Sequence, residues 1–187
     1  WLEHTAPDEN KDIYMMDMYA YLVKIRCYLQ MGKYMVAHVL VKQLITLLIP
    51  GKRHMDLCEC YMLSAIIYYK AGEKNRMCEE LNKALEPARR YHYIRLLADE
   101  GSCMVQMLSI YQQERGVDDF TDTIIDLAGE VGRHFPNYLK TPAEYYEPLT
   151  TMEKNVFRLM AQGMSNDEIA DRLGKKTGTV KFHSNNI

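Results

Sequence analysis

The sequence predicts an all-α chain of stacked helix hairpins that ends in a small three-helix unit. Three observations predict it. From Ile13 to Arg115 the apolar residues recur at helical spacing, with no sustained alternation of the strand type. Laid over itself at an offset of 40, the chain matches Tyr21, Leu22, Tyr28 and Gly32 with Tyr61, Met62, Tyr68 and Gly72, and Val41 and Ile45 with Leu81 and Leu85. Near the C-terminus, two Ser/Thr-x-x-Glu signals each open an apolar-striped run that stops at a glycine.

The elements follow in order. The first hairpin is predicted over residues 12–31 and 33–48, closed by Pro50-Gly51. Gly32 stands where a residue tolerant of positive φ can end its first helix. The second hairpin is predicted over 54–71 and 73–86, with Gly72 at the turn and Pro87 as the stop. Helical material runs from Tyr91 to Arg115, broken at Gly101, and another helix spans 119–134 with Asp118 as its N-cap. Residues 135–148 read as a linker, because Pro136, Pro142 and Pro148 leave no room for an ordinary helix.

A lone hairpin leaves one apolar face open, so neighbours must stack and form a concave surface. With Gly32-Lys-Tyr34-x-x-Ala37 as its better-kept copy, residues 1–134 resemble tetratricopeptide repeats; the second copy has Lys74 and Met77 in place of the tyrosine and alanine. Most of the 14 tyrosines and 13 methionines lie in this body, where they serve packing or a groove for an effector or protein partner. Tyr93-Ile-Arg-Leu-Leu-Ala-Asp-Glu-Gly101, then Met104 and Leu108, resembles the segment that closes the repeat region of MalT-like regulators.

Composition excludes several classes. The chain has 187 residues, of which 48% are apolar and 26% charged, the balance of a globular protein with a proper core. No apolar run approaches the roughly 20 residues of a membrane span. The first fifteen residues are polar and acidic, unlike a secretory signal, so a cytoplasmic protein is expected. Five cysteines without a CxxC pair read as reduced thiols packed in the core. Cys58 and Cys60 sit two apart on a helix and point away from each other, so no metal site is expected there.

The net charge of −2 divides unevenly. Residues 149–187 carry six Lys/Arg and four acids, and the remainder carries 17 bases and 21 acids. From Gly174 onward there are three lysines and no acid. An acidic body with a basic end places any nucleic-acid contact in residues 149–187.

That end is legible residue by residue. Thr150 and Glu153 form one capping box, followed by the inward series Val156, Leu159, Met160 and a stop at Gly163. Ser165 and Glu168 form the second, with Ile169, Ala170 and Leu173 inward and Gly174 as the stop. A third helix opens at Thr177. Two short helices joined by a tight turn, the later one basic, make a helix-turn-helix whose second member suits the major groove. The series Leu149-Thr-x-x-Glu153, Gly163-x-Ser-Asn-x-Glu168-Ile-Ala, Thr179-Val-Lys-x-His183 and Asn186-Ile187 resembles the LuxR-type DNA-binding domain.

This resemblance implies a recognition helix over 177–187, with Lys181, Phe182 and Asn185 facing bases. Lysine donates to guanine, asparagine pairs with adenine, and an apolar edge meets a thymine methyl. Lys176, Thr177 and Thr179 lie at the helix start, where amides and the dipole favour phosphate. Val180 and Ile187 are expected inward, and His183 either buried or turned to DNA. Lys175 and Lys176 replace the family's usual apolar residue and capping serine, and Ser184 replaces a frequent apolar residue. The family's fourth helix, which pairs two such domains on double-stranded DNA, is not represented in the sequence. MalT-like regulators also carry an upstream nucleotide-binding domain. No Gly-x4-Gly-Lys-Ser/Thr occurs here, so no cofactor is expected in this chain.

No enzyme is expected. Asp118-Asp-Phe-Thr-Asp122 matches the DDxxD diphosphate-metal signature, but no second acidic cluster accompanies it, and helix capping accounts for it. Two functions remain: a transcription regulator whose repeat body senses an effector, or a protein-binding scaffold whose last helices are a structural cap. A regulator leaves Lys181 and Asn185 open to solvent, whereas a cap buries or pairs them.

Overall fold

The computed structural model describes residues 1–2, 5–8, 13–136, 138 and 151–186, and among them every regular element is helical. A 3-10 turn at Met15–Asp17 leads into α1 (Met18–Gln30), which packs with α2 (Tyr34–Leu48) as the first hairpin. The helix is shorter than expected, because Tyr14 is extended and no side chain caps the first turn. The predicted start at Asp12 lies outside the described residues.

The second hairpin, α3 (His54–Lys70) against α4 (Lys74–Tyr91), is the most closely packed pair. The equivalent glycines Gly32 (φ 72°) and Gly72 (φ 76°) occupy the left-handed region at the two hairpin turns, as the 40-residue repeat predicts. One boundary is corrected here. Pro87 does not stop α4, which runs on to Tyr91. Leu81, Ala84, Leu85 and Ala88 are buried on both sides of the proline, and that packing outweighs the missing amide donor.

The chain then turns through α5 (Ile94–Ala98) into α6 (Ser102–Arg115) and α7 (Asp119–His134), a third hairpin. Gly101 breaks the helical run as expected, with φ 59° and ψ −135°, a conformation only glycine adopts easily. It faces Gly132 of α7, where a Cβ would lie 2.9 Å from the Ser102 amide nitrogen. Two glycines thus let α7 press on the start of α6. Asp118 caps α7 by accepting from the amides of Phe120 and Thr121, and its carboxylate also takes both Arg89 guanidinium nitrogens at 2.6 and 2.7 Å. The DDxxD match is therefore a helix start.

Three hairpins are tied by one buried cluster. Arg26 of α1 donates to Glu59 of α3 at 2.6 Å and to Glu100, between α5 and α6, at 2.8 Å. Burial would lower the Arg26 pKa, yet the two carboxylates raise it above the usual arginine range. Glu100 is pushed up by burial against the opposing pull of Arg26. Tyr138 joins the cluster, its phenol pushed up to about 12 by burial and by the Glu100 charge. Of the expected linker, residues 137 and 139–148 lie outside the described residues.

All five cysteines are free, and four are buried. Burial pushes the Cys58 and Cys103 thiols up to about 12 and Cys78 to about 11, so each acts as a small hydrophobe. Met62, Met77, Met104 and Met107 are fully buried, so these methionines pack the body.

Candidate nucleic-acid interface

The last three helices are α8 (Thr151–Met160), α9 (Asn166–Leu173) and α10 (Thr177–Asn186). They share a small core of Val156, Leu159, Ile169, Ala170 and Val180. Every link in that unit has a local cause. The second capping box is formed in full: the Ser165 hydroxyl accepts from the Glu168 amide, and the Glu168 carboxylate accepts from the Ser165 amide at 2.7 Å. Gly163 (φ 81°) and Gly174 (φ 61°) make the two turns. The first box involves Thr150, which lies outside the described residues.

Val180 points inward with 1% exposure and fixes the rotation of α10. Lys176, Thr179, Lys181 and Phe182 are consequently exposed, Phe182 by 62%. Thr177 is half-buried, and its hydroxyl donates to Asp167 at 2.8 Å, tying the start of α10 to that of α9. His183 is half-buried, with Nδ1 3.9 Å from a Glu153 oxygen and its ring edge-on to Phe182. The side chain of Asn185 and all of Ile187 lie outside the described residues. Lys181 being bare is the arrangement expected of a reader rather than a cap.

Sequence reasoning missed how the reader meets the body. Helix α8 has two apolar stripes. Val156 and Leu159 enter the reader's own core, whereas Phe157, 1% exposed, is buried in the core of the repeat body; Ala161 packs on that core too, and Met160 packs against both. Phe157 lies against His38 of α2, ring centroids 6.2 Å apart, and His38 packs edge-on to Tyr68. Arg158 reaches Glu73 at 3.4 Å.

His38 has 2% of its surface exposed. Burial pushes its pKa down to about 4, helped by Lys42 and Arg76 and opposed by Glu80 and by a hydrogen bond with the Ala161 backbone. The unfolded chain, with histidine near 6.5, therefore takes up this proton first. Stability from the neutral ring is complete above about pH 6.5 and falls by about 3 kcal/mol as the pH drops towards 4. Melting temperatures measured from pH 7 to pH 4 should fall less steeply in His38→Gln than in the wild type; parallel profiles would remove His38 from this role.

Among the described residues, no group of three His, Cys, Asp or Glu could hold a metal, and no helix is long and apolar enough to cross a membrane. Residues 1–114 match the family described as the MalT-like TPR region, and residues 147–187 match the bacterial regulatory proteins of the luxR family. No solved structure matches the chain. The repeat match covers more than half of the sequence, and the second match coincides with the basic, solvent-facing helical reader. The chain thus belongs to the MalT-like TPR family and, through its luxR-type helix-turn-helix, is a MalT-like LuxR-family regulator whose business is DNA-binding control of transcription.

Proposed function

We propose that α10 reads the major groove with Lys181, Phe182 and Asn185, while Lys176, Thr177 and Thr179 hold the phosphate backbone. The observation that carries this reading is the outward position of Lys181 and Phe182, enforced by Val180 in the reader's core. In this reading the repeat body senses an effector or partner, two readers pair on double-stranded DNA, and the chain works in the cytoplasm without catalysis or a cofactor of its own. The scaffold alternative would need Lys181 packed or paired, and its exposure disfavours it.

The experiment selects a duplex from a randomised pool and measures its affinity by anisotropy over a salt series. Lys181→Ala should lose about 1–3 kcal/mol of discrimination at one base pair. Lys176→Ala should weaken all duplexes alike and reduce the salt slope by about 1. Unchanged base preference in Lys181→Ala would refute the assignment.

A further inference from the structure

Helix α2 is apolar on nearly every side. Its inward residues fill the body, yet Val36, Val39, Leu47 and Ile49 remain exposed on the outer face. An all-round apolar helix is normally covered. The docked reader covers only part of it, and between the two lies a cleft of about 810 Å³, within the range of small-molecule sites. One wall is α2, with His38, Val39, Lys42 and Leu47; the other is the end of α8, with Met160 and Ala161.

Four polar side chains line this cleft, His38, Lys42, Gln43 and Thr46, and the Thr46 hydroxyl already donates to the Lys42 carbonyl. His38 is buried, and its Nδ1 has no hydrogen-bond partner, which is costly for an enclosed nitrogen. That nitrogen is shut off from the cleft, so His38 brings the ligand its ring and no hydrogen bond. Lys42 lies one turn further along the same helix. Its ammonium sits 3.4 Å from Glu80, which already receives Lys83 at 2.8 Å, so Lys42 is the loosely held cation at the rim. The remaining wall is mostly aliphatic. Lys42 is the one charged side chain of this lining and most of the rest is apolar, so an apolar body with one acidic group fits it.

We propose that the cleft between α2 and the reader binds a small hydrophobic organic anion, its acidic group at Lys42 and its apolar body against Val39, Leu47 and Met160, and that this ligand reports to the reader because both walls hold it. The proposal rests on the sensing role given to the repeat body and names the site and ligand class for it. A molecule that touches both walls favours the docked arrangement by linkage, with no change required elsewhere.

The probe is 8-anilinonaphthalene-1-sulfonate, which carries an apolar ring system, a sulfonate and an N–H. Titrated into the full chain, it should give a saturable, one-to-one rise in fluorescence. Lys42→Ala should weaken binding about tenfold, and Val39→Glu, which sets a carboxylate against the anion, should abolish it. Both side chains are partly exposed, so melting by circular dichroism should match the wild type. Equal affinity in all three chains, or binding that does not saturate, would overturn the proposal. So would sedimentation showing a wild-type dimer that Val39→Glu dissolves, since the cleft would then belong to a second copy. Affinity of the wild type for the selected duplex is measured alongside: a wild type that binds the duplex but not the dye sinks the ligand site alone, and one that binds the dye but no duplex sinks the DNA reading alone.

Discussion

Replacing Arg26 with methionine is expected to destabilise the folded chain by roughly 3–5 kcal/mol, the cost of leaving a buried charge unpaired. The guanidinium is the shared partner of Glu59 and Glu100, and Glu100 is 2% exposed. Without Arg26 the Glu100 carboxyl must stay protonated or remain ionised inside the body, and either state is dearer in the folded chain. The double variant Arg26→Met with Glu100→Gln should recover most of the loss, because a neutral amide needs no counter-charge. Urea denaturation of the wild type, single variant and double variant provides the measurement. A single-variant loss below about 1 kcal/mol, the scale of an exposed pair, would show that the cluster is not a structural tie.

Truncating Phe157 to alanine is expected to cost roughly 3–5 kcal/mol of burial and cavity energy, nearly all of it at the junction of body and reader. Phe157 is absent from the cluster that holds α8, α9 and α10 together, and it belongs to the core of the repeat body. The reader should therefore keep its fold while losing its seat. Small-angle scattering should show a larger radius of gyration, and limited proteolysis should cut sooner between residues 139 and 150. Far-UV circular dichroism should retain its helical signal. Loss of helicity in proportion would mean that Phe157 supports the reader itself, contrary to the packing described.

Local signals in the sequence were enough for most of the fold. Gly32 and Gly72, the Ser165–Glu168 capping box and Asp118 each act within a few residues, and each is found in the role its spacing predicts. Pro87 misleads because its local cost is overridden by long-range burial of Ala84, Leu85 and Ala88 against α3. At the reader, Val180 inward and Lys181 outward follow from helical periodicity together with the family motif. The docking of Phe157 on His38 was invisible, since nothing in local periodicity pairs two positions so far apart in the chain. A second apolar stripe on α8, beside the one already assigned to the reader's core, was the available hint. Arg26, Glu59 and Glu100 were hidden for the same reason: each looks like an ordinary surface charge until three hairpins bring them together.

Because α8 carries the mooring to the body while Lys181 and Phe182 on α10 stay bare, the repeat array does not act as a shield over those side chains. In the reading proposed above, its control would act through the angle and spacing at which the lysine-bearing rod is presented. Two chains bound at a fixed separation on one duplex would feel such steering strongly, whereas a solitary half-site would barely register it.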